Sequence, residues 1–218
     1  MKKLEPKSEN QRIYIESLNR NKITFADGVS GSGKTYCATV YGIAALLEGK
    51  FEKLIITRPL IQSDADSGAL PGTLDEKIEP YLAPVLDILS YTISPAELQK
   101  LKKDKKIEFA PIGYLRGRTF YKSFVIIDEA ENLDYEQLLL VLTRFGKGSK
   151  MVLTGDSTQS DLPATKRGGY ASMMTKLSNI QHIGIIHLEY QDIVRDPIIK
   201  TILERLNDET QENFGIKC

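Results

Sequence analysis

The span "GVSGSGKT", residues 28–35, limits what this 218-residue chain can fold into more than any other stretch. Gly28, Gly31 and Gly33 alternate with Ser30 and Ser32, a composition that loses more backbone entropy on folding than almost any other. A bound group must return that free energy. Gly28, Gly33, Lys34 and Thr35 fit the spacing G-x-x-x-x-G-K-[ST] without a gap. The span follows a strand-like run, "KITFADG" (22–28), and opens a helical one, "KTYCATVYGIAALLEG" (34–49). In that setting the glycines let successive N–H groups turn inward on a polyphosphate, and the helix N-terminus adds partial positive charge. Lys34 is placed to neutralise the terminal phosphates, and Thr35 to offer its hydroxyl to magnesium. Residues Gly28, Val29, Ser30, Gly31, Ser32, Gly33, Lys34, Thr35 and Tyr36 thus form the expected cradle, with ATP and Mg2+ as its ligands.

Beyond the cradle, short β-branched apolar runs alternate with longer amphipathic ones. That pattern predicts βα units, a mainly parallel sheet flanked by helices. Strands are expected at 53–59 ("KLIITRP"), 123–130 ("SFVIIDEA"), 149–156 ("SKMVLTGD") and 183–190 ("IGIIHLEY"). Helices are expected at 134–145 and 196–206. The stretch between the second strand and "SFVIIDEA" is too long for a simple crossover, so it reads as an insertion over about residues 60–122 of a single domain spanning 1–218. Within it, Thr73 and Glu76 suggest a capping box, and Pro80 and Pro84 are expected to break or restart the helix they open. A short helix with a basic end is expected at 94–106, and a further strand at 107–115.

Magnesium needs a carboxylate and hydrolysis needs a group to orient or deprotonate water, so an acidic pair is sought at a later strand end. "FVIIDEAEN" supplies it. Asp128 falls at the carboxyl end of four apolar residues, the side of a parallel sheet where the glycine-rich loop also lies, and Glu129 follows at once. Asp128 is the metal candidate and Glu129 the candidate general base. At the next strand end, "VLTGDSTQSDLP" carries Thr154, Gly155, Asp156 and Gln159. The neutral amide of Gln159 can sense a γ-phosphate without competing for its charge.

Composition narrows the partners. Lysine plus arginine equals aspartate plus glutamate at 29 each, so no global positive field recruits nucleic acid, and any such contact must come from a local patch. No run approaches the roughly 20 apolar residues that span a bilayer, and no signal-peptide core follows the charged start. A cytoplasmic protein without membrane contact is expected. Cys37 and Cys218 read as reduced thiols, and His182 and His187 have no cysteine at zinc-ligand spacing.

The motifs "GVSGSGKT", "ITRP", "LPGTLDEKIEPYLAPVLD", "APIGYLRGRTF", "FVIIDEAEN", "LTRFGKGSKMVLTGDSTQSDLP" and "DIVRDP" occur in an order that resembles PhoH-like proteins. That family is similar to a single nucleotide-binding core of superfamily-one helicases, so the resemblance implies a RecA-like P-loop ATPase from about residue 8 to about 207. It also implies roles that spacing alone does not give. Gln11 stands where such proteins place an adenine-reading glutamine, Arg195 looks like the late arginine that meets γ-phosphate charge, and Arg58 belongs to a motif near the nucleic-acid strand. A working translocase closes two cores around ATP, and this chain has room for one. The resemblance therefore implies a homo-oligomer, a hexamer by family likeness, in which a neighbour supplies the arginine, or else slow turnover.

Three functions remain open on the sequence. In "YLRGRTF", Arg116 and Arg118 stand between Tyr114 and Phe120, a set suited to RNA or single-stranded DNA. The same arginines would equally well hold the insertion to the core. A small-molecule kinase also uses a P-loop and would use the arginine pair as a phosphate clamp, although Glu129 and Gln159 suit attack by water better. A nucleotide-binding module without hydrolysis is the third reading, against which the intact Lys34, Thr35, Asp128 and Glu129 argue.

Overall fold

The structure is a computed structural model that describes residues 3–59 and 74–194 together with Ile198 and Arg205, with the backbone alone for 74–80. Its elements run α1 (Glu9–Arg20), β1 (Ile23–Gly28), α2 (Lys34–Leu47), β2 (Lys53–Thr57), α3 (Leu74–Thr92) and α4 (Pro95–Lys103). They continue with β3 (Ile107–Phe109), β4 (Ser123–Ile127), α5 (Tyr135–Leu142), β5 (Lys150–Gly155), α6 (Gly169–Leu177) and β6 (Ile183–Leu188). The strands make one sheet in the order β3-β2-β4-β5-β1-β6, and every neighbouring pair is parallel.

Side chains alternate across each strand, so a sheet covered on both faces needs apolar residues at consecutive positions. β4 shows this directly. Phe124 and Ile126 face a core layer containing Tyr14, Ile43, Leu54 and Leu89, whereas Val125 and Ile127 face a second layer with Leu138, Val141 and Tyr170. Each such burial contributes about 1.5–3 kcal/mol, which is why the strands read as unbroken apolar runs. Local signals start the helices. Ser8 accepts from the Gln11 N–H to cap α1, and Asp134 and Gln137 bond each other's backbone N–H groups in a capping box that opens α5.

Register decides what the strands deliver. Asp27 lies opposite Gly155, Ile127 opposite Leu153, and Thr57 opposite Ile127, so β1, β2, β4 and β5 finish along one edge. The residues that follow these ends therefore meet. At Gly28 (φ +148°) a Cβ would lie 2.0 Å from the Leu188 carbonyl oxygen, so only glycine lets β1 run this close to β6 before turning into the loop.

Several expectations need correction. α3 runs unbroken through Pro80 and Pro84, although each proline removes a helix hydrogen bond. The packing of Leu82, Val85 and Leu89 against the core holds the helix together there. The strand expected at 107–115 ends at Phe109, because Pro111 cannot donate to the sheet and Ile112–Leu115 wind into a 3-10 turn. Strand β4 likewise stops at Ile127, before the acidic pair. Within the segment between β2 and β4, β3 pairs with β2 as an edge strand. Thr73, Arg195 and nearly all of the helix expected at 196–206 lie outside the described residues. Among the described residues no helix is long and apolar enough to cross a membrane.

Candidate functional site

The loop after β1 owes its shape to Gly33, which caps α2 with a left-handed backbone (φ 90°) and no side-chain partner. The first N–H groups of α2 therefore stay open toward the cavity, as an anion requires. Ser32 braces the loop from within, its hydroxyl donating to the Val29 carbonyl at 2.7 Å. The Lys34 ammonium folds back to donate to the carbonyls of Gly28 at 2.5 Å and Val29 at 2.9 Å. Burial lowers the pKa of Lys34, opposed by Asp156, Glu131, Glu129 and Asp27.

Facing the loop, Asp128 is 2% exposed at the end of β4. Its Oδ1 accepts two hydrogen bonds of 2.7 Å, one from Thr35 Oγ1 and one from Thr154 Oγ1. Burial raises its pKa, while the bonds from Thr35 and Thr154 and the charge of Arg58 oppose the rise. Arg58 Nη1 stands 3.6 Å from Asp128 Oδ2, and Arg58 Nη2 donates to Glu129 Oε1 at 2.8 Å. Glu129 has left the strand and sits in the left-handed region at φ 54°, ψ 44°.

Next along the edge, the Asp27 carboxylate accepts from the Ser157 N–H and hydroxyl, both at 2.7 Å, and so ties the loop after β5 to the end of β1. Asp156 Oδ1 accepts from the N–H and hydroxyl of Thr158 at 3.1 and 2.6 Å, shaping the turn that carries Gln159. The Val194 N–H donates to the Gly31 carbonyl at 3.3 Å, which brings the segment after β6 onto the same loop.

These groups surround a cavity of about 1020 Å³. Of the residues expected from the sequence, Gln11, Ser30, Gly31, Gly33, Lys34, Thr35, Tyr36, Arg58, Asp128, Glu129 and Gln159 line it. Gly28, Val29 and Ser32 do not; they shape the loop from behind. Gln11 is only 3% exposed, and its amide already donates to the Ser32 carbonyl at 2.9 Å and accepts from the Lys7 N–H at 2.8 Å. One amide hydrogen and one carbonyl lone pair remain for a base.

The basic patch does not join this site. Arg118 makes two hydrogen bonds to Glu108 at 2.5 and 3.0 Å and lies over the Phe120 ring, so it holds the turn after β3 to that strand. Phe120 is buried and offers no face to a base, whereas Tyr114 is 60% exposed and Arg116 is exposed beside it. Arg58, expected near a nucleic-acid strand, has its guanidinium engaged with Asp128 and Glu129.

Magnesium suits the donor set. The Thr35 hydroxyl and Asp128 carboxylate present hard oxygens from opposite walls, and nearby Asp156 keeps a buried Oδ2 without a hydrogen-bond partner. Magnesium takes one or two protein oxygens and completes its shell with water and phosphate, so a larger cluster of acids is not required. Sequence reasoning missed Glu131, buried at 7% exposure in the 3-10 turn Ala130–Asn132 and lining the same cavity. The only sequence signal was a second glutamate two residues after Glu129.

Comparison with known proteins agrees with this architecture. The large terminase of a thermophilic bacteriophage, in complex with ADP, superposes with a TM-score of 0.55 at 10% identity, over 87% of this chain and 47% of that one. A PhoH-like protein of Synechocystis is 41% identical over 198 residues, which is 91% of this chain and 60% of the relative. A PhoH-like protein of Bacillus subtilis is 40% identical over 93% of this chain and 64% of its own length. Protein PhoH of Escherichia coli K12 is 34% identical over 90% of this chain and 56% of its own. The chain thus spans between 56% and 64% of the length of these relatives. The family profile for PhoH-like protein covers residues 3–207, and with these identities the P-loop chain described above belongs to the PhoH-like family.

Proposed function

We propose that this chain binds Mg-ATP and hydrolyses it, acting on or with RNA or single-stranded DNA. The observation that carries the reading is the 2.7 Å hydrogen bond between Thr35 on the glycine-rich loop and Asp128 at the end of β4, with Glu129 beside it. Two oxygens that would share one magnesium ion are already in register, and an acid stands next to them. In this reading Lys34 leaves the loop carbonyls for the phosphate oxygens, and the open N–H groups of α2 hold the rest of the polyphosphate. Magnesium held by Thr35 and Asp128 would neutralise charge on the β- and γ-phosphates. Glu129 takes a proton from a water molecule as its oxygen bonds to the γ-phosphorus, and the bond to the leaving ADP breaks. Gln159 hydrogen-bonds the γ-phosphate, and Gln11 meets the base with the two positions its amide retains.

Arg195 would add positive charge at the γ-phosphate, in cis or from a neighbouring copy in a homo-oligomer such as a hexamer. Arg116 and Tyr114 are the solvent-facing pair best suited to a polynucleotide backbone and base. A kinase reading would use Arg118 as a phosphate clamp, and the bonds of Arg118 to Glu108 weigh against it. The test is phosphate release from Mg-ATP with and without RNA or single-stranded DNA, alongside mass determination in solution. Release that a polynucleotide accelerates supports the reading. No release under any of these conditions removes hydrolysis, and release indifferent to every polynucleotide removes the nucleic-acid partner.

A further inference from the structure

Glu131 is buried, and the groups that favour its charge, backbone N–H groups of Glu131 and Asp156 and the Lys34 ammonium, are outweighed by burial and by the neighbouring Glu129 carboxylate. Its turn is clamped in place: Ser160 donates to the Glu131 carbonyl at 3.0 Å, and Asn132 Oδ1 accepts from the Asp161 N–H at 2.7 Å. The side chain is wedged against Gly155, where a Cβ would lie 2.7 Å from Glu131 Oε2 and 3.0 Å from the Tyr170 ring. That Oε2 is buried without a hydrogen-bond partner, and among the described residues no lysine or arginine forms an ion pair with Glu131. An ionised carboxylate so placed would be costly, whereas a protonated one needs only an acceptor for its O–H. The acceptor within reach is Glu129.

We propose that Glu131 is a positioning residue that keeps its proton and donates it in a hydrogen bond to the Glu129 carboxylate, holding that base toward the cavity. Glu129 is then gripped from two sides, by the Arg58 guanidinium at 2.8 Å and by the Glu131 hydroxyl. Its left-handed backbone gives it a fixed departure point, and the two donors settle where its oxygens lie. The charged and titratable groups facing Glu131 are Glu129 from the end of β4, Asp156 from the end of β5, Lys34 from α2 and Tyr170 from α6. Of these, the Glu129 carboxylate opposes its ionisation and the Lys34 ammonium favours it. Burial, followed by the bond to Glu129 and that residue's negative charge, pushes the Glu131 carboxyl up to about 9.

This inference rests on Glu129 acting as the base, so the test pairs an activity readout with one independent of turnover. Infrared difference spectra of the intact protein at neutral pH should contain the C=O stretch of a protonated carboxylic acid that Glu131→Gln lacks. Its absence from the wild-type protein overturns the proposal even if ATP is hydrolysed rapidly. In steady-state assays Glu131→Ala should lower kcat about 10- to 100-fold, the size of a lost hydrogen bond to a charged group, with KM for ATP little moved. The wild-type rate should fall on the alkaline side as Glu131 ionises, and Glu131→Gln, which donates an N–H but does not ionise, should lose that fall. A Glu131→Gln profile retaining the fall, or Glu131→Ala turning over at the parental rate, contradicts the positioning role. A wild-type protein that releases no phosphate but shows the infrared band would instead overturn the hydrolytic reading and leave the Glu131 bond standing.

Discussion

Arg58, one residue past the end of β2, donates a 2.8 Å hydrogen bond to Glu129, two residues past the end of β4. The pairing follows from register. Thr57 lies opposite Ile127 and its carbonyl accepts from the Asp128 N–H at 2.9 Å, so the residues leaving the two strands emerge side by side. A non-glycine residue in the left-handed region costs on the order of 1–3 kcal/mol and persists only where its surroundings dictate it. The Arg58 guanidinium is part of what dictates it at Glu129.

Arg58→Ala should therefore lower the rate of ATP turnover about 10-fold or more, because a charge-assisted bond that orients the base is lost. It should leave the salt dependence of polynucleotide binding unaltered. Arg116→Ala should do the opposite, reducing the salt slope by about 1 while sparing turnover without polynucleotide. Filter binding across a salt series, beside phosphate release, checks both; a salt slope that drops in Arg58→Ala would return Arg58 to the strand contact that family resemblance implied.

Asp27 offers a test of how the loop carrying Gln159 is held. Its carboxylate makes two bonds to Ser157, and His187 on edge strand β6 stands 3.3 Å from its Oδ2. Asp27→Ala leaves a half-buried N–H and hydroxyl of Ser157 without their acceptor, which should cost about 1–2 kcal/mol in urea unfolding. Turnover should fall further than stability alone accounts for, since Gln159 is no longer fixed. An Asp27→Ala midpoint equal to that of the wild-type protein contradicts this account of the loop.

Glu131 makes a stability prediction with a definite sign. Its carboxyl titrates at about 9 in the folded chain against an ordinary value of 4.5, so between those values the folded state binds the extra proton. Stability from this group is complete at acid pH and is lost progressively as pH rises through that window. Urea midpoints near pH 6 and near pH 8.5 should show Glu131→Gln gaining on the wild-type protein as pH increases. Parallel curves for the two proteins would contradict a raised carboxyl.

Much of the site was legible because its signals are local. Lys34 and Thr35 announce themselves by their spacing to Gly28 and Gly33, and Asp128 by ending an apolar run. The parallel sheet followed from consecutive apolar positions such as those of β4, and β3 appeared as a short run near its place. What stayed hidden depends on which strand ends lie side by side. Neither the Arg58–Glu129 bond nor the wedge of Glu131 against Gly155 can be read without the order β2-β4-β5, since 71 and 24 residues separate the partners in sequence. α3 passing through two prolines was equally invisible, because local propensity opposes it and only burial of Leu82, Val85 and Leu89 explains it. For Arg118 the sequence left a polynucleotide contact and a structural anchor equally open, and only the position of Glu108 on the preceding strand shows which partner it has.

The most direct test of the account is single-turnover phosphate release from Mg-ATP by wild-type protein and Glu129→Gln, with bound nucleotide measured in the same samples. A positioned base contributes roughly 10² to 10⁴ in rate, so Glu129→Gln should retain ATP and release phosphate slower by about that factor. Glu129→Gln releasing phosphate as fast as the wild-type protein would show that another group activates the water and would contradict the site as assigned.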